Sequence, residues 1–234
     1  MKRFLLSRLL FVCAIPSFVA FAADLPKHPR DLTYSELSFT MPVVSRTALD
    51  NGLVIYFRED HNLPVLDFYA IIRVGAIYDP LDKMGLASLT GEVMRTGGTR
   101  EQTGEQIDEI LEFIGASVES SIEQERGIAR MGCLSKDLDT VLPIFAEILM
   151  RPEFRQEKID LCKKEVLESI RRRNDQPGDI VEREFQRIVY GDHPYARPVE
   201  GEANTVVAIQ RQDLIDFHQR YYVPNNIILG VAGD

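Results

Sequence analysis

Beyond residue 43 the chain switches between two hydrophobic periods. Short β-branched and aromatic runs alternate with stretches whose apolar residues recur every three or four positions. Asp50-Asn51-Gly52 is a hairpin turn signal inside residues 47–60, and Leu53-Val54-Ile55-Tyr56-Phe57 follows it. Residues 65–74 form a second β-rich run that ends at Gly75. Residues 84–94 carry Leu86, Leu89 and Val93 at helical spacing, and Gly97-Gly98 stops them. Thr103 followed by Gln106 reads as a capping box, ahead of an amphipathic helix through Ile107, Ile110, Leu111 and Ile114 that Gly115 closes. Residues 116–122 and 128–134 read as strands, and Asp137 opens a helix through residue 150. Further helices are expected over residues 156–173, 179–190 and 211–222. A buried strand is expected over residues 226–232, apolar on both faces as in a covered sheet.

This order is two strands, two helices, two strands, several helices and a strand. Paired strands with helices grouped between them predict an α+β fold, an antiparallel sheet with helices packed on it. Roughly 210 residues suffice for one domain with a substantial core. An apolar strand next to the end would leave a sheet edge to be covered, so the chain is expected to continue past Asp234 or to pair with another chain.

The amino terminus has a different pattern. Lys2, Arg3 and Arg8 precede the apolar run from Leu9 to Ile15, and Ala20 and Ala22 form a small-residue site ahead of Ala23. This is the pattern of a cleaved secretory signal peptide over residues 1–22. The apolar run is shorter than the roughly 20 residues of a membrane span, and Pro16 interrupts it. Val12 is not the small residue that a lipid attachment at Cys13 would prefer. Residues 23–43 read as an extended arm. The mature chain is expected to be exported, periplasmic if the source is a Gram-negative bacterium, with no membrane span after signal cleavage.

The net charge of −9 becomes −12 once the three basic residues of that segment are removed. So acidic a chain is a poor nucleic-acid binder, because phosphate contacts need a basic face. Cys133 and Cys162 remain after cleavage, without a C-x-x-C, and read as two buried thiols; one disulfide between them stays open. His28, His61, His193 and His218 are scattered, and no H-E-x-x-H or H-x-x-E-H occurs. Serine elbows of the G-x-S-x-G type and P-loops are also missing from the sequence.

Four segments, in order, resemble the insulinase/pitrilysin family of inverted zincins, which includes the mitochondrial processing peptidase. Leu49-Asp50-Asn51-Gly52-Leu53 fits the family's start. The run Gly85-Leu86-Ala87-Ser88-Leu89-Thr90-Gly91-Glu92-Val93-Met94, closed by Gly97-Gly98-Thr99, is similar to its active helix, G-L-A-H-F-L-E-H-M with a Gly-Thr stop. His193-Pro194-Tyr195-Ala196-Arg197-Pro198 resembles its HPYGRP segment. Asp213-Leu214, Phe217, Tyr221, Pro224-Asn225-Asn226 and Gly233-Asp234 are similar to its D-L-x-x-F…Y-x-P-N-N…G-D ending. On this resemblance residues 44–190 form the family's amino-terminal peptidase-like domain, and residues 191–234 begin its next segment.

The resemblance implies a site with two histidines at i and i+4, a glutamate base between them and a later glutamate ligand holding zinc. Carried over, the first histidine falls on Ser88, the base on Gly91, the second histidine on Glu92 and the later ligand on Ser169. All four are changed, so no zinc or other cofactor is expected here, although the family uses zinc. Restoring the motif in this register takes Gly91→Glu and Ser169→Glu beside two new histidines. A shift of one residue would put Glu92 on the base and Glu168 on the ligand, still without a histidine. Apart from the resemblance, Glu92 and Glu168 read as solvated or salt-bridged helix charges.

The resemblance therefore implies a non-catalytic subunit that helps enclose and bind peptides. Its partner would be an active zinc peptidase, either a separate subunit or a second half of the same protein. An active zinc endopeptidase with a divergent motif and a non-enzymatic peptide-binding scaffold are the alternatives.

Overall fold

The computed structural model describes residues 28, 30, 32 and 34–234. The signal-peptide reading of residues 1–22 and the first part of the arm lie outside the described residues. The chain divides into two units, residues 1–41 and residues 42–234. Within the first, residues 34–41 carry no helix or strand and are exposed.

The second unit contains the strands β1 (Ser45–Ala48), β2 (Val54–Glu59), β3 (Val65–Ile72), β4 (Ser117–Ile122), β5 (Gly127–Leu134) and β6 (Ile227–Gly233). Its helices are α1 (Leu86–Thr96), α2 (Gly104–Ile114), α3 (Leu138–Met150), α4 (Gln156–Arg172), α5 (Pro177–Tyr190), α6 (Ala203–Ala208) and α7 (Arg211–Tyr221). Local chemistry explains several boundaries. Gly52 turns the β1–β2 hairpin at φ +88°, and its N–H donates to Leu49. Thr103 accepts from the Gln106 N–H while the Gln106 side chain accepts from the Thr103 N–H, and Gly115 ends α2 at φ +67°.

The strands form one six-stranded sheet in the order β1-β2-β6-β3-β5-β4. Four of its five pairings are antiparallel, but β2 and β6 run parallel, Val54 opposite Ile228 through Glu59 opposite Gly233. The antiparallel sheet expected from the sequence holds everywhere except at this one pair. Parallel neighbours need a long crossover, and here everything between residues 59 and 227 serves as one.

On one face of the sheet Leu66, Ala70 and Ile72 of β3 and Val118 and Ile122 of β4 are buried with Leu89, Val93 and Met94 of α1, Ile107 and Leu111 of α2, and Phe145 and Ile148 of α3. The opposite face carries Tyr56, Val65 and Leu134 in exposed positions and Ile71 and Ile228 half-buried. The expected burial of the last strand on both faces is corrected accordingly: every residue of β6 is half-exposed. The short helix α6 had no clear signal in the sequence. The thiols of Cys133 and Cys162 are both buried and unpaired.

Candidate functional site

The candidate site is built on α1, which lies against β4, α4 and α7. Its start is held from outside the helix. Gly85 sits at φ +97°, and a side chain there would collide with the Glu200 carbonyl oxygen at 2.6 Å. The buried Asp79 carboxylate accepts from the N–H groups of Gly85 (2.8 Å) and Ala87 (2.9 Å), so it satisfies donors that a helix start leaves unpaired. Burial pushes Asp79 up to about 7, against the opposing pull of these hydrogen bonds and of the Arg197 charge.

Along α1, Leu89, Val93 and Met94 face the core. Arg95 is buried near the end of the helix, where Nε donates to the Val118 carbonyl and the guanidinium pairs with Asp108. Ser88 is half-buried and Glu92 reaches solvent on one side. Gly91 turns toward β4. A Cβ on Gly91 would lie 2.6 Å from the Ile122 nitrogen and 2.8 Å from the Ser121 carbonyl carbon, and Ser120 Oγ donates to the Gly91 carbonyl. The base position therefore faces strand backbone and has no room for a side chain.

The downstream positions lie on α4. Glu168 is paired with Arg172 (2.9 Å) and Arg171 (3.5 Å), which hold its carboxyl below the usual range. It is the salt-bridged helix charge expected from the sequence. Glu92 reaches solvent, the other reading the sequence allowed, and among the described residues has no cationic partner within ion-pair distance. Partial burial together with the charges of Glu119 and Glu165 raises its carboxyl despite the opposing Arg95. Burial pushes the Cys162 thiol up to about 12, with the charges of Glu92 and Glu165 adding to it, leaving it an inert buried thiol.

Glu119 and Glu165 were missed from the sequence. Glu165 had a signal, since it lies one turn before Ser169 and shares its helix face. Glu119 had none, because strand pairing and the packing of α1 bring it there. Glu165, Glu168 and Ser169 line a cavity of about 1020 Å³ between α4, α5 and residues 197–200.

These residues do not fit zinc. Both imidazole positions are filled by Ser88 and Glu92, the Gly91 position is closed by backbone, and Glu168 is already paired. The four histidines are engaged elsewhere: His28 with Arg30, His61 with Asp234, His193 with the Tyr195 N–H, and His218 with the Leu149 carbonyl. Among the described residues no group of three His, Cys, Asp or Glu is arranged to hold a metal.

The insulinase family model (peptidase family M16) matches residues 59–203. A protein of Rickettsia felis described as an uncharacterized zinc protease is 29% identical over 189 residues, covering 80% of this chain and 45% of the relative. Subunit 1 of the bovine mitochondrial cytochrome b-c1 complex is 24% identical over 201 residues, covering 86% and 42%. Among solved structures, a peptidase M16 inactive domain from Pseudomonas fluorescens superposes with a TM-score of 0.78 at 25% identity, covering 82% of this chain and 47% of that one. The periplasmic protease PqqL of Escherichia coli superposes at 0.72 with 22% identity, covering 82% and 22%. The chain thus spans less than half the length of these relatives. By the family model over residues 59–203, more than half of its length, the chain belongs to the insulinase family of peptidases.

Proposed function

We propose that this chain is a non-catalytic, exported member of the family that helps enclose and bind peptides beside an active zinc peptidase. The observation that carries the reading is the contact of Gly91 with the backbone of β4, which leaves no space for a general base on the active helix. The missing imidazoles support it, because catalytic zinc wants three protein ligands and an open position. Likeness to halves of larger M16 proteins supports a paired arrangement, whether with a second half or with a separate subunit. The signal-like amino terminus supports export, to the periplasm in a Gram-negative source, and among the described residues no helix is long and apolar enough to cross a membrane.

The test is elemental analysis and peptide cleavage on the purified mature protein. The expected result is no stoichiometric zinc and no cleavage by the chain alone. About one zinc per chain with chelator-sensitive cleavage would replace this reading with that of an active, divergent peptidase.

A further inference from the structure

One corner of the sheet holds a histidine between two acids. Strand β2 closes at Glu59, residues 60–64 turn the chain into β3, and Asp234 follows β6. In that turn His61 directs Nδ1 to Asp234 Oδ1 at 2.7 Å and Nε2 to Glu59 Oε1 at 3.1 Å. The other Asp234 oxygen accepts from Ser135 Oγ at 3.1 Å, just past β5. Two backbone bonds close the same corner: the Asp60 N–H donates to the Gly233 carbonyl and the Asp234 N–H to the Val65 carbonyl. Segments remote in sequence therefore meet around one exposed side chain.

A neutral imidazole carries one N–H and one bare lone pair. Between two carboxylates it donates to one and turns its lone pair on the other. An imidazolium donates to both. The positions of Glu59 and Asp234 are thus those that a protonated ring satisfies and a neutral ring of either tautomer does not. From this we infer that His61 is a proton-operated latch: charged, it ties the 60–64 turn to the end of β6, and on losing its proton it lets go of one of its two carboxylates. The bond to Asp234, and next the charge of Glu59, hold the ring above its ordinary 6.5. A value raised on folding means that the latch is fully closed below 6.5 and opens as pH rises through the folded value. Arg58, a cation that would oppose the proton, is paired with Asp60 at 3.0 Å. Asp67 of β3, and Lys136 and Asp137 in the turn after β5, make no bond to the ring, and only Asp234 and Glu59 raise it. The latch goes beyond the peptide-binding reading and does not depend on it. Export supplies its setting, since an exported chain meets the pH of its surroundings.

Proton NMR titration of the mature chain, combined with backbone amide exchange, tests this. The His61 midpoint should lie above 6.5, fall in Glu59→Gln and fall further in Asp234→Asn. Protection of the Asp60 and Asp234 amides, corrected for intrinsic exchange, should drop about fivefold between about pH 5.5 and about pH 8.5 in the wild type and stay level in His61→Gln. The pH response of the Ala87 amide, which Asp79 holds, should be the same in both proteins. A His61 midpoint at or below 6.5 overturns the latch. So does an equal drop at Asp60 and Asp234 in the wild type and in His61→Gln. A raised midpoint with level protection in the wild type overturns it too, because the ring would then titrate without tying anything down. Each of these outcomes leaves the peptide-binding reading as it stands.

Discussion

Gly91 of α1 rests on Ile122 of the edge strand β4 so closely that a single added carbon would sit 2.6 Å from the Ile122 nitrogen. The neighbour is backbone, which cannot rotate away. Gly91→Ala gains about 1 kcal/mol in helix propensity, but overpacking against an unyielding wall costs about 1–3 kcal/mol. The net expectation is a lower unfolding midpoint in urea for Gly91→Ala and a larger loss for Gly91→Glu. An unchanged or raised midpoint for the glutamate variant would show that the helix can lift off β4. It would also reopen the route to a restored motif that the sequence register suggests.

Asp79 gives the protein a pH-dependent helix start. Its acid lies at about 7 rather than at 3.8, chiefly through burial. A raised folded-state value means that folding favours the protonated form. The stability it contributes is fully present below 3.8 and is lost as pH rises through about 7. Urea unfolding at about pH 5 and about pH 8 should therefore show a fall in stability for the wild type that is smaller in Asp79→Asn. Equal falls in both proteins would remove Asp79 as the source.

The face of the sheet turned away from the helices exposes Tyr56 and Val65, each at least 36% accessible, and carries Ile71 and Ile228 half-buried. Apolar side chains left exposed on an open sheet face favour association. Residues 24–234 expressed alone should fold and self-associate as concentration rises in sedimentation experiments. Lysine at Tyr56 and Val65 should weaken that association without changing the helical circular dichroism. A strictly monomeric fragment at high concentration would mean that the face is not adhesive.

The charged, apolar and small-residue order of residues 1–22 predicts removal of that segment on export. Amino-terminal sequencing of exported protein should begin near Ala23. Recovery of chains that retain Met1 would argue against cleavage.

The sequence by itself determined what short-range chemistry controls. The turn at Asn51-Gly52, the Thr103–Gln106 capping box, the glycine stop at Gly115 and the apolar stripe of α1 are all decided within a few residues, so they are legible in one dimension. The family's segments and the loss of imidazole at Ser88 and Glu92 are legible for the same reason. Tertiary structure alone decided three other things. It set β2 parallel to β6 across a crossover of more than a hundred residues. It brought the charges of Glu119 and Glu165 to bear on Glu92 from two other elements, and it pressed Gly91 against the backbone of β4. Each of these depends on distances between segments remote in sequence. Burial, charge coupling and close backbone approach are properties of those distances, whereas periodicity and capping belong to the chain itself.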